Sequence, residues 1–211
     1  MTENTDLWQI ERDLTEQGIG IICGCDEAGA GPLAGPVYAA AVILPPYCRI
    51  EGLNDSKKLT EKKREALYEV ITQKAVCWAV VRVEAAEIDA TDILSARMKA
   101  MQQAMDALTI QPEIALVDGN RDKGRSAAIT TPHKLVVGGD GKSASIAAAS
   151  ILAKVSRDRF VAGELDERYP QYQFAKHKGY GTKLHYEMLD KFGPCPEHRR
   201  SFLKKWEEKR I

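Results

Sequence analysis

Asp26 and Glu27 stand side by side where an apolar run, GIGIIC, meets a glycine-rich turn, GAGPLAGP. An Asp-Glu pair at a strand end is, taken alone, more often solvated than catalytic. Two further acids change its weight: Asp118 in ALVDGN and Asp140 in VVGGD also follow short apolar runs that read as strands. Four carboxylates gathered at strand ends raise one another's pKa unless a cation compensates them. Mg²⁺ and Mn²⁺ prefer such hard oxygen ligands. Successive side chains of a regular strand point to opposite faces, so convergence of Asp26 and Glu27 is expected to need a departure from the pleat. The flanking glycines would permit one.

Two glycine motifs suggest other chemistry. Gly29 to Ala34 matches the loose dinucleotide pattern, but a strand follows it and not a helix. GDGKS places a strand, a glycine loop, Lys142-Ser143 and a helix in P-loop order. The required first glycine is Val136, so a P-loop nucleotide binder is a minor alternative, with Gly138 and Gly139 as its phosphate nest. Basic residues cluster at Lys57-Lys58, Lys176-His177-Lys178 and Arg199-Arg200, the second beside Tyr180. Together they suit a groove for a nucleic-acid backbone, with a sugar or base packed on the ring.

The elements that must position these residues follow from periodicity. Leu7, Ile10 and Leu14 share a helical face ahead of Gly18, and Ile19 to Cys23 reads as a strand ending by Gly29. Val37 to Leu44 is its antiparallel neighbour. Thr60 caps a helix with Leu67, Val70, Ile71 and Ala75 inward, and 76–84 is a third strand. Residues 86–108 form one helix with a core stripe of Leu94, Met98, Met101, Met105 and Leu108. Strands at 113–117 and 134–138 precede a long helix over 143–167, and Thr182 and Gly193 bound a helix over 182–192. A meander followed by alternation implies an α/β mixed sheet with helices on its faces. Residues 1–168 are expected as the main domain, and 169–211 as a helical cap packed on it.

Lys+Arg and Asp+Glu both number 30, so no global field attracts nucleic acid and any binding must be local. No run approaches the roughly 18 apolar residues of a membrane span, and the polar start MTENTD is not a signal peptide. Five cysteines without CxxC argue for free thiols in a reducing cytoplasm. Cys23 and Cys25 could join Cys195 and His198 around zinc only if two unrelated segments met.

From about Ile21 to Phe202 the chain resembles the type 2 ribonuclease H family, specifically bacterial ribonuclease HII, through CDEAGAGPLAGPVYAAAVIL, GLNDSKKL, LVDGN, GDGKSASIAAASILAKVSRD, HKGYGT and HRRSF. The resemblance implies a ribonuclease H-like domain that cleaves RNA in RNA–DNA hybrids and 5′ to single ribonucleotides in DNA. It implies one or two Mg²⁺ or Mn²⁺ ions on Asp26, Glu27, Asp118 and Asp140. Tyr180 falls on the family's substrate-reading tyrosine, and Asn54, Ser56 and Lys57 on its phosphate-contacting loop. The family's Gly-Arg-Gly is here Gly29-Ala30-Gly31, so substrate affinity or junction preference is expected to weaken. A monomer acting on nucleic acid, away from membranes, is the expected state; a non-catalytic hybrid binder is the alternative.

Overall fold

Gly24 shows how closely the core is built: a Cβ there would lie 2.0 Å from the backbone carbon of Ser145. It sits on β1 (Ile22–Ala28), the centre of a five-stranded sheet. The computed structural model describes residues 6–54 and 56–208; MTENT and Asp55 of the expected phosphate loop lie outside them. β2 (Val37–Ile43) and β3 (Cys77–Val83) continue from β1 as an antiparallel meander, while β4 (Ile114–Asp118) and β5 (His133–Val136) run parallel to it, giving the order β3-β2-β1-β4-β5.

Helices cover both faces, and strand alternation assigns residues to each. On one face Cys23 and Cys25 of β1 and Val37, Ala39 and Ala41 of β2 pack with Met98, Met101 and Met105. These methionines belong to α4 (Ile93–Asp106). The expected single helix over 86–108 is two, α3 (Ala85–Ala90) and α4, because Asp92 caps the second by accepting from the Ser95 amide at 2.9 Å. On the other face Ala40 and Val42 pack against α2 (Glu61–Lys74) and α5 (Ala144–Phe160). Alanines at 144, 147, 148, 149 and 153 let α5 lie against the sheet at the distance Gly24 requires. The expected helix over 143–167 continues past α5 through one π turn, Val161–Leu165, into the short α6 (Asp166–Arg168).

Two further findings bear on the site. α1 (Gln9–Glu16) lays Glu11 on the start of α5: its carboxylate accepts from Ser143 Oγ at 2.6 Å and from the Ser145 amide at 3.1 Å. The amides a P-loop would offer to phosphate are thus already engaged by Ser143 and Glu11, which overturns that alternative. Cys23 and Cys25 lie in the sheet core, whereas Cys195 packs in a separate cluster with Tyr172 and Phe174. The last residues form α7 (Phe174–His177), α8 (Lys183–Phe192) and α9 (Arg200–Glu208), with Thr182 capping α8 and Gly193 at its end. Among the described residues no helix is long and apolar enough to cross a membrane.

Gly24→Ala is expected to fail at the β1–α5 contact, since the obstacle is backbone and cannot rotate away. The expected loss exceeds about 4 kcal/mol, read as a collapse of the urea midpoint relative to the parent chain.

Candidate active site

Asp26 and Glu27 both lie inside β1, paired in regular register with Ala40 and Ala39 of β2. The expected break in the pleat does not occur. The two side chains leave opposite faces of the strand: Asp26 bonds Ser150 on α5, and Glu27 meets Arg97 on α4. They still reach one place because β4 ends alongside, with its pairing to β1 running through Cys25–Val117, so that Asp118 follows at the edge. The site straddles the end of the sheet.

A recess of about 230 Å³ opens there. Asp26, Glu27 and Asp118 line it together with Gly29, Ala30, Ser56, Lys57 and Tyr180, so most of the residues singled out in the sequence converge. Gly31, Asn54 and Asp140 do not line it. Asp140 sits on a single 3₁₀ turn, Gly139–Gly141, and is tied to the recess through Lys57, whose Nζ lies 3.2 Å from Oδ2. Asp118 holds that turn by accepting from the Gly139 amide at 2.6 Å.

Burial dominates the electrostatics. It pushes the Asp26 carboxyl well above the usual carboxylate range, and the nearby charges of Glu27 and Asp118 push it further; the Ser150 hydroxyl opposes them. Burial raises Glu27 too, Arg97 at 2.6 Å pulls it back, and Asp118 adds to the rise. Glu27 Oε2 is buried with no hydrogen-bond partner. Among the described residues no three acids, cysteines or histidines already stand as a formed metal site. The donor set nonetheless fits a hard divalent cation: crowded carboxylates, an orphaned buried oxygen, and no soft ligand on the recess.

Four contributors take roles that the sequence did not assign to them. Arg157 and Arg199 are fully buried, and their guanidinium groups donate to the main chain of the glycine-rich turn. Arg199 reaches the carbonyls of Gly29, Ala30 and Gly35 at 2.7 to 3.0 Å. Arg157 reaches those of Pro36, Ala34 and Lys178 at 3.1 to 3.2 Å. Arg199, expected with Arg200 in a basic cluster open to a nucleic-acid backbone, is instead buried and spent on main-chain carbonyls, and KVSRD is the only mark of Arg157. Lys154 lines the recess with its ammonium 5.6 Å from the Tyr180 ring, and Arg97 balances Glu27.

The Tyr180 loop is held by histidines. The Cys195 amide donates to His198 Nδ1 at 3.0 Å, which leaves His198 Nε2 to donate to His185 Nε2 at 2.9 Å. His185 Nδ1 then donates to the Tyr180 carbonyl at 3.0 Å. Each ring is thereby fixed in one neutral tautomer. Desolvation lowers both, His185 to about 4 and His198 to about 3. Stability from this relay is complete above the ordinary value of 6.5 and is lost as pH falls from there through about 4 and about 3. Asp26 and Glu27 act with the opposite sign, so ring signals isolate the histidines better than melting does. The proton resonances of His185 and His198 are expected to stay unshifted from about pH 7.5 to about pH 5, where a solvent histidine titrates.

The family model for "Ribonuclease HII" matches residues 23–207. A ribonuclease HII of Idiomarina loihiensis is 57% identical over 182 residues, covering 86% of this chain and 95% of its own. One of Caldicellulosiruptor bescii is 49% identical over 204 residues, covering 97% of each. The crystal structure of ribonuclease H2 from Pyrococcus horikoshii OT3 superposes with a TM-score of 0.72 at 26% identity, covering 90% of this chain and 98% of that one. With the mixed sheet and the acids at its edge, these matches establish that the chain belongs to the ribonuclease HII family of endoribonucleases.

Proposed function

We propose that this ribonuclease H is divalent-cation-dependent, and that besides the RNA strand of hybrids it cuts 5′ to a single ribonucleotide embedded in DNA. The products would carry a 5′-phosphate and a 3′-hydroxyl. The observation that carries this reading is the burial of Asp26 and Glu27 together on a recess walled by Tyr180, with one carboxylate oxygen left unpaired. Such acids resist ionisation unless positive charge is brought to them. Asp26, Glu27, Asp118 and Asp140 are the groups that would hold one or two Mg²⁺ or Mn²⁺ ions; bound, these would activate water and stabilise the leaving oxygen.

The chain's own groups supply recognition. The carbonyls of Gly29 and Ala30 are engaged by Arg199 and the amides of Leu33 and Gly35 by the carbonyls of Gly179 and Glu197, so the amides of Ala30 and Gly31 are the ones that would donate to a 2′-hydroxyl or a phosphate. Tyr180 is 41% exposed, with Lys154 and Arg157 near its ring, so its open face can pack on the sugar. Lys57 is exposed and supplies a phosphate contact. Ser56 acts indirectly: its hydroxyl is buried against Ser150 at 2.7 Å, and Ser150 in turn bonds Asp26. Residues 169–211 serve in this reading as the cap that carries Tyr180 to the substrate.

Asp118→Asn is expected to abolish cleavage of a duplex bearing one ribonucleotide while the thermal midpoint holds. Retained Mg²⁺-dependent turnover would defeat the assignment, and a parent chain that binds hybrid without cutting it would favour a pure binding protein.

Ala30→Arg is expected to raise cleavage efficiency. A charge-assisted hydrogen bond to phosphate contributes about 1.5 to 3 kcal/mol, or roughly ten- to a hundredfold in transition-state binding. Arginine there should also steepen the salt dependence by about one counterion. Equal efficiencies and slopes in the two chains would show that position 30 does not meet the substrate.

A further inference from the structure

Behind Glu27, on the face of the sheet covered by α4, a second recess of about 230 Å³ opens between Arg97, Asn120 and Arg121. Its place follows from the unbroken pleat: Asp26 looks toward α5 and Tyr180, whereas Glu27 looks toward α4. The acids therefore divide two openings, one on each side of the sheet end.

The ion pair with Glu27 accounts for only part of Arg97. That pair uses Nη2, at 2.6 Å from Oε1, while Nε is buried without an acceptor among the described residues. Arg121 is exposed and makes no hydrogen bond or ion pair among the described residues. Asn120 adds an amide between them. The recess is lined by two guanidinium groups and an amide and by no carboxylate, with Glu27 paired to Arg97, Asp118 engaged by the Gly139 amide and Asp122 paired with His133, which makes an anion site and not a cation site. Planar N–H forks of this kind match the oxygens of a phosphodiester.

We propose that Arg97, Asn120 and Arg121 form a phosphodiester subsite that holds a backbone phosphate of the bound duplex on the α4 side of the acids. The proposal rests on the reading of the chain as a duplex-cutting nuclease, and adds a contact on the face opposite Tyr180. It gives the molecule a grip on both sides of the cleaved bond. Because Arg97 touches Glu27, a phosphate seated here also draws on the guanidinium that balances that acid, which couples occupancy of the subsite to the state of the site.

Arg121 is the clean point of attack, since it holds nothing in the fold. Arg121→Ala is expected to raise KM for a duplex with one ribonucleotide by about three- to tenfold, with the loss falling on KM more than on kcat. The slope of log kcat/KM against log salt should flatten by about 0.9. Asn120→Asp, which places a carboxylate in the recess, should act in the same direction more strongly. Neutral methylphosphonates placed one at a time along each strand then locate the phosphate: at one position the parent chain loses affinity while Arg121→Ala loses nothing further. Unchanged KM and slope in Arg121→Ala, or additive losses at every position, would overturn the subsite. A parent chain that cuts no ribonucleotide-bearing duplex would instead remove the nuclease reading, a result that needs no variant to see.

Discussion

Two buried guanidinium groups that form no ion pair with a carboxylate among the described residues hold the glycine-rich turn, and much else in the molecule depends on them. Burying an unpaired charge is costly unless its hydrogen-bonding capacity is filled. Arg157 and Arg199 fill theirs with backbone carbonyls between Gly29 and Pro36, and with that of Lys178. Desolvation lowers Arg199 to about 9, with Arg157 adding to the fall. These bonds join four parts distant in sequence: the turn after β1, the C-terminal part of α5, Lys178 at the end of α7, and the start of α9. They therefore set the position of the turn relative to the acids. Gly29, with φ at 96°, is required for the same reason, because a Cβ there would lie 2.2 Å from Arg157 Nε.

Around that clamp the protein keeps two polar groupings of opposite character. The histidine relay from Cys195 to Tyr180 is neutral and satisfied at nearly every atom, so it adds rigidity without a charge to solvate. The acids are the reverse: charge is crowded, partly buried, and incompletely paired. A fold tolerates the second grouping only where the surroundings over-determine it. Here β1 is paired on both sides, and α5 and α4 press on its two faces.

Much of this was legible in the sequence. Meander and alternation gave the sheet, Thr60, Thr182 and Gly193 the helix ends, and the methionine stripe the α4 core face. What the pattern could not show was competition between local and long-range partners. The 86–108 periodicity runs unbroken through Asp92, whose carboxylate nonetheless starts a new helix. The GDGKS order fits a P-loop until Glu11, 132 residues earlier than Ser143, takes the helix start. The rule that neighbouring strand residues oppose one another was sound, but it led to the wrong geometry for Asp26 and Glu27. Convergence needed only the strand's end, where both faces open to one edge.

The clamp also explains how a turn so tightly held can vary at its centre. Every bond that Arg157 and Arg199 make to this segment ends on a main-chain carbonyl, including that of Ala30, and none ends on a side chain. The path of Gly29 to Gly31 is thus fixed whatever residue occupies position 30, provided its backbone can follow. Ala30 lines the recess, so what changes with that residue is the surface offered there and not the placement of the acids behind it. Backbone recognition and side-chain recognition are in this way separable at one turn: the first is set by arginines brought from α5 and from the start of α9, and the second is free to be tuned.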